Sequence, residues 1–243
     1  MLTDIEFDQA EKIIEGLNIP QYFGCNGDDD EFYGEDLLEY QVGELGIGDF
    51  AINNGITKAV IIPNEFNFVV KIPFNCIKYY EWNEEDQEYT DDEYFEMFRY
   101  ADAPDQTDYC WDELIKINKA YDAGFGDLFP ATAFVKEEKN GTRCYIQEKV
   151  RTFSEVRFKG GAPVVSEKSR TTARSMDNYY CTCDVEWRAA VVEFYGEAFW
   201  KSFVDWDSIN CIGILTDMHS NNYGYTMDGR PIILDVSGYR EGD

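Results

Sequence analysis

A chain of 243 residues, 44% apolar and 16% aromatic, carries enough apolar surface to bury a core as one domain or two small lobes. Its net charge of −27, from 48 acids against 21 lysines and arginines, repels nucleic-acid phosphates, so no direct nucleic-acid role is expected. No apolar run approaches the roughly 20 residues of a membrane span, no basic and apolar signal segment opens the chain, and seven cysteines are scattered without zinc-type CxxC pairs, so we expect a reduced, cytoplasmic protein without a membrane partner.

In chain order, Thr3-Asp4-Ile5-Glu6 is a capping-box pattern, and Ile5, Ile13, Ile14 and Leu17 keep helical spacing up to Pro20. Gln21–Tyr40, rich in Gly and Asp, reads as loop; its run Asp28-Asp29-Asp30-Glu31 lacks the ligand order of a calcium loop. Residues 1–40 are therefore expected to form a helix and an acidic loop. From Val42 to Phe74 the pattern is that of short strands: Asp49–Ile52, the turn Asn53-Asn54-Gly55, Ile56–Ile62, a second turn, and Phe68–Ile72 bearing Lys71. Tyr79–Asp108 holds twelve acids against the single Arg99, interleaved with aromatics, which argues for a packed insert whose charge suits a basic protein partner. Trp111–Gly124 has helical apolar spacing, with Glu113 in its first turn. Strands Ala131–Val135 and Arg143–Gln147, joined at Lys139-Asn140-Gly141, complete a five-stranded antiparallel meander within 41–150. Arg151–Ser175 reverses the charge, with six cations against Glu155 and Glu167, and its Gly160-Gly161 pair predicts a mobile loop. An aromatic-rich helix over Asp184–Trp206 follows.

The chemistry concentrates at 213–238. The only histidine, His219, lies in Asp217-Met218-His219-Ser220-Asn221-Asn222, and the apolar run Ile232-Ile233-Leu234 delivers Asp235. Between them Asp228-Gly229 is a two-residue hairpin signal. Such a turn sets Asn222 opposite Asp235, about 5 Å away, where both oxygens could share one hard cation.

Asp-x-His-x-x-Asn, a short hairpin and an apolar strand ending in Asp resemble the catalytic core of kinase-like phosphotransferases, nearer the aminoglycoside- and choline-kinase branch than the protein kinases. The resemblance implies a two-lobed α+β fold: a five-stranded antiparallel N-terminal sheet with insert 79–108, and a minimal helical C-terminal lobe over 151–243. It implies ATP and Mg²⁺ as cofactors, with Asp217 accepting the proton of a substrate hydroxyl and Asn222 and Asp235 holding the metal. His219 would fix the loop. Val69-Val70-Lys71 resembles the strand lysine that contacts phosphates, and Glu113 is its candidate partner. Two stretches compete for the turn over the phosphates: Leu45-Gly46-Ile47-Gly48-Asp49-Phe50-Ala51, and Asn53-Asn54-Gly55-Ile56-Thr57-Lys58. The second is favoured, with Gly55, Thr57 and Lys58, because the turn must join the first two strands. Gln147-Glu148-Lys149-Val150 resembles the hinge whose backbone at Glu148 and Val150 would meet adenine.

Some features depart from the family. Leu215-Thr216 stand where His-Arg or His-Gly is usual, Val236-Ser237-Gly238 follows Asp235, and the eight residues after Asp235 offer no acceptor-binding segment. Local lysines and magnesium would have to invert a strongly negative field before an anionic nucleotide could bind. A different class of function is therefore also expected: a catalytically inactive kinase-like protein, or an acidic DNA mimic, that binds and regulates a basic partner.

Overall fold

The computed structural model describes residues 2–19, 21–26, 34–55, 57–83, 88–102, 106–176 and 183–236, with backbone alone for 22–26, 34–37, 54, 75–83 and 88–98. The protein is α+β, and its chain divides into two compact units, Met1–Trp111 with Thr132–Glu148, and Asp112–Ala131 with Lys149–Asp243. The chain crosses between units at 111/112, at 131/132 and at 148/149, the last inside the hinge-like stretch 147–150.

The first unit opens with α1 (Asp4–Glu15). Its capping box is formed: the Glu6 N–H donates to Thr3 Oγ1 at 3.3 Å, and the Thr3 N–H to Glu6 Oε2 at 2.8 Å. Ala10, Ile13 and Ile14 point into the core. The stretch read as loop contains two elements instead, β1 (Tyr22–Asn26) and α2 (Gly34–Glu44). Neither has a strong local signal. The strand is supported by edge pairing, and α2 buries Leu38 and Val42 in the same core as α1. Residues 28–31 lie outside the described residues.

Strands β2 (Phe50–Asn54), β3 (Lys58–Pro63), β4 (Phe68–Asn83), β6 (Thr132–Glu137) and β7 (Arg143–Glu148) form a five-stranded antiparallel sheet. Their order is not that of a meander. β7 pairs with the first half of β4 and with β6, so the fourth and fifth strands exchange places. The helix α3 (Tyr109–Asp122) precedes β6 and returns the chain to the far edge. Beyond residue 73, β4 runs on to pair with β5 (Glu88–Arg99), which β1 covers. The acid-rich segment is thus largely an antiparallel ribbon continuing the strand of Lys71; residues 84–87 and 103–105 lie outside the described residues.

One sheet face carries Ala59, Ile61, Val70, Ile72, Cys144 and Ile146 into the core beneath α1 and α2. A bulge between Phe134 and Lys136 shifts the alternation, turning Lys136 toward α1, where it meets Glu11 at 3.4 Å and Glu15 at 3.0 Å.

The second unit is built on an aromatic core. Trp187, Trp200, Phe203, Phe129, Tyr223 and Tyr225 are buried together, with Trp187 and Trp200 edge to face at 5.8 Å. Where a mobile loop was expected, β8 (Arg151–Thr152), α4 (Phe153–Lys159) and α5 (Glu167–Ser175) stand. The caps explain the difference. Thr152 and Glu155 form a capping box, and Ser166 caps α5 through Ser169 N–H at 3.2 Å. Ser166 and Ser169 both donate hydroxyls to Glu193, each at 2.6 Å, which clasps α5 onto the next helix. The long helix expected over 184–206 is two, α6 (Val185–Tyr195) and α7 (Glu197–Ile209), separated at Gly196. A short sheet, β10-β9-β8, closes the unit, with β9 at Tyr223–Tyr225 and β10 at Pro231–Ile233.

Candidate functional site

In the first unit, register places the two candidate lysines. Lys71 pairs with Val60 on β3 and Tyr145 on β7, and Lys58 pairs with Pro73. Opposed residues share a face and side chains alternate, so Lys58, Val60, Lys71 and Tyr145 lie on the face opposite the α1/α2 core. Both lysines are buried, Lys58 at 5% and Lys71 at 4% exposure, which is rare for ammonium groups unless they are paired; both make interactions in the fold. Thr57, also buried, accepts the Phe74 N–H on its carbonyl at 3.0 Å.

The competing glycine stretches separate cleanly. Gly46 and Gly48 have φ of 65° and 82° and follow the end of α2, where left-handed residues commonly terminate a helix. Gly55 lies in the turn between β2 and β3, its N–H donating to the Lys58 carbonyl at 3.0 Å. A Cβ there would meet only that carbonyl, at 3.7 Å, so the turn itself does not demand glycine. Ile56 lies outside the described residues. Glu148 ends β7 opposite Phe68, and Val150 follows the boundary between units.

In the second unit, Glu113 on α3 is almost wholly buried, at 1% exposure. The motif around Asp217 begins where a 3-10 turn, Ile214–Asp217, leaves Asp217 exposed at its end. Asn222 is the node of the motif. Its Nδ2 donates to the Asp217 carbonyl at 2.8 Å and to Asp217 Oδ2 at 3.2 Å, its N–H donates to the His219 carbonyl at 2.8 Å, and its carbonyl accepts Leu234 N–H at 2.8 Å and Asp235 N–H at 3.3 Å. With two acceptors on the Nδ2 side, the amide orientation is fixed. Among the described residues none of these bonds uses Oδ1, the atom suited to a hard cation. The His219 imidazole accepts the Asn221 N–H on Nδ1 at 3.3 Å, consistent with a part in shaping the loop.

The hairpin itself differs from expectation. Thr226 N–H donates to the Arg230 carbonyl at 2.9 Å and Gly229 N–H to the Thr226 carbonyl at 3.0 Å, enclosing three loop residues instead of two. Gly229 has φ of 92°, as a type I turn followed by a left-handed residue requires. The register moves by one: Ile233 faces Tyr223, and Asn222 faces Leu234 with Asp235 one residue beyond. The shared Asn222 carbonyl still holds Asp235 beside it, so the hairpin brings Asp217, Asn222 and Asp235 into one hydrogen-bonded segment. Ser237 and Gly238 lie outside the described residues.

Two supporting residues were missed. Asp207 on α7, 6% exposed, accepts Ile214 N–H at 2.9 Å and Leu215 N–H at 3.2 Å, one turn before Asp217. A signal existed: Trp200, Phe203, Val204 and Asp207 form the buried stripe of α7, and an acid in an apolar stripe needs donors. Lys116 on α3 donates to the Val236 carbonyl at 2.9 Å and pairs with Asp112 at 3.0 Å; nothing in the local pattern marked it. Among the described residues no group of three or more His, Cys, Asp or Glu could hold a metal ion.

No family model, curated protein or solved structure matches the chain. The resemblance to kinase-like phosphotransferases therefore rests on the residues above.

Proposed function

We propose that the protein is a Mg²⁺- and ATP-binding kinase-like phosphotransferase that moves the γ-phosphate to a hydroxyl acceptor. The observation that carries this reading is the Asn222 node, which ties Asp217 through Nδ2 and Asp235 through the carbonyl, with none of these bonds, among the described residues, taking Oδ1. The strand order β2-β3-β4-β7-β6, with a helix between the third and fourth strands of that sheet in sequence, supports a two-lobed kinase-like arrangement. Asn222 and Asp235 would hold Mg²⁺, which neutralises phosphate charge when bound. Lys71 and Lys58 would meet the phosphate chain, Glu113 would orient Lys71, Gly55 and Thr57 would lie over the phosphates, and the Glu148 and Val150 backbone would meet adenine. Asp217 takes the acceptor proton as the acceptor oxygen bonds to the γ-phosphorus and the bond to the bridging oxygen of departing ADP breaks. Ser166 and Ser169 are poor acceptors, since their hydroxyls are committed to Glu193.

The test is a calorimetric and thermal-shift titration with MgATP. Wild type should be stabilised by about 2.7 kcal/mol at 100 times Kd, Asp235→Ala should lose the response, and Asp217→Asn should keep it but lose turnover. No wild-type response at millimolar nucleotide refutes the reading. A second reading, regulation of a basic protein partner by the acidic segment, is favoured by the antiparallel pairing of β4 with β5, which joins residues 75–83 and 88–98 in one ribbon.

A further inference from the structure

Two groups outside the residues assigned above to nucleotide, metal and acceptor hold the ends of the motif from separate elements. Asp207 grips the turn before Asp217 from α7, and Lys116 grips the carbonyl after Asp235 from α3. All of these residues belong to the second unit.

Asp207 is the stronger anchor. Its carboxylate is buried at 6% exposure, and its two oxygens each take one backbone N–H, from Ile214 at 2.9 Å and from Leu215 at 3.2 Å. Those N–H groups open a four-residue 3-10 turn, too short to satisfy its own first donors. Ile214 and Leu215 are themselves buried in the aromatic core. The turn is thus fixed at its start by Asp207 and the core, and at its end by Asn222 through the Asp217 carbonyl. The Asp217 carboxylate is exposed, with Oδ2 accepting Asn222 Nδ2 at 3.2 Å, so it is carried on a backbone fixed at both ends of the turn. Lys116 acts on the other end. Its side chain, 14% exposed, holds the Val236 carbonyl at 2.9 Å, one residue past Asp235, whose own N–H donates to the Asn222 carbonyl at 3.3 Å.

We propose that Asp207 and Lys116 are positioning residues with separable tasks, Asp207 aiming the proton-accepting Asp217 and Lys116 setting the metal-holding Asp235. This rests on the phosphotransferase reading. In Asp207→Asn one oxygen still accepts, but an NH₂ group confronts the second N–H, so the turn loses one of its two bonds with little change in volume. In Lys116→Met the stem is kept and the donor is lost.

The test uses the 243-residue chain and steady-state kinetics of MgATP turnover, with MgATP affinity measured separately by calorimetry and Mg²⁺ varied at fixed ATP. Asp207→Asn should lower kcat by about 10- to 100-fold while MgATP affinity and the Mg²⁺ requirement stay within about twofold. Lys116→Met should raise the Mg²⁺ requirement by about tenfold or more, and Lys116→Arg, which keeps a donor, should restore it in part. If Asp207→Asn proves unfolded, Asp207→Glu serves instead; it keeps both acceptors and displaces them, with the same kcat loss expected. Folded variants with unchanged kcat and unchanged Mg²⁺ requirement overturn this inference alone, as does loss of kcat and MgATP affinity in parallel. A wild type that neither binds MgATP nor turns it over overturns the phosphotransferase reading, and the inference with it.

Discussion

Replacing Asp108 by Ala should be among the most damaging single changes in the first unit, because one carboxylate serves three groups. Its Oδ1 accepts the Trp111 N–H at 2.9 Å as the cap of α3, and its Oδ2 accepts the Tyr145 hydroxyl at 2.6 Å and lies 3.5 Å from Arg143. The lost cap costs about 1 kcal/mol. Tyr145 is wholly buried, and a hydroxyl left there without an acceptor costs about 1–3 kcal/mol more. The Arg143 pair is long and its guanidinium one-third exposed, so it adds at most about 0.5 kcal/mol. The expected total is about 2–4 kcal/mol, or roughly 5–15 °C in Tm for a chain of this size. Thermal unfolding of Asp108→Ala, Tyr145→Phe and the double variant measures it. The two single changes should be non-additive by about 1 kcal/mol, since both break one hydrogen bond. Additivity within about 0.3 kcal/mol, or a loss below about 1 kcal/mol for Asp108→Ala, would refute the argument.

Gly224→Ala should be about as damaging in the second unit: its Cβ would stand 2.0 Å from the Arg151 carbonyl oxygen and 2.8 Å from Thr152 Cα, backbone atoms that cannot swing aside. A loss of about 3 kcal/mol in urea unfolding is expected, and a loss below about 1 kcal/mol would show that β8 yields. The Ser166 and Ser169 hydroxyls hold the Glu193 carboxyl below its usual range, so its contribution is present above the ordinary carboxylate pKa and is lost as pH falls through the lowered value. Protection factors of the α5 amides, taken against the intrinsic exchange rate at each pH, should therefore fall in wild type as pH drops through that lowered value; Glu193→Gln should show lower protection at neutral pH and less change with acid, and identical profiles would dismiss the clasp. If the acidic ribbon captures a basic partner, binding should weaken steeply between 0.1 M and 1 M salt, where the Debye length falls from about 10 to 3 Å. That binding should survive Asp235→Ala and fail when the acids between 84 and 93 are neutralised; the opposite pattern rejects the ribbon as the docking arm.

By itself the sequence determined whatever depends on near neighbours. The capping box at Thr3 and Glu6, the strand runs around Lys71 and Ile146, and the grouping of Asp217, Asn222 and Asp235 on one loop and hairpin are local patterns of spacing, and the structure reproduces them. The capping box at Thr152 and Glu155 was equally local, and the Gly160-Gly161 pair and clustered charge obscured it. Tertiary structure alone decided the rest. Which strand lies beside β4 depends on pairing energies between distant segments, so β7 displaces β6 from the position a meander would assign. β1 and α2 lack strong local preference and are ordered by the edge and core they cover. The hairpin register turned on whether two or three residues make the loop, a difference set by Thr226 facing Arg230. The burial of Lys58, Lys71 and Glu113 required knowing which face of a sheet or helix is covered, and the anchors Asp207 and Lys116 act on residues that only folding brings near. A hydrogen bond from Lys116 to Val236 spans 120 positions of chain, and no periodicity of the sequence encodes a contact made across such a distance.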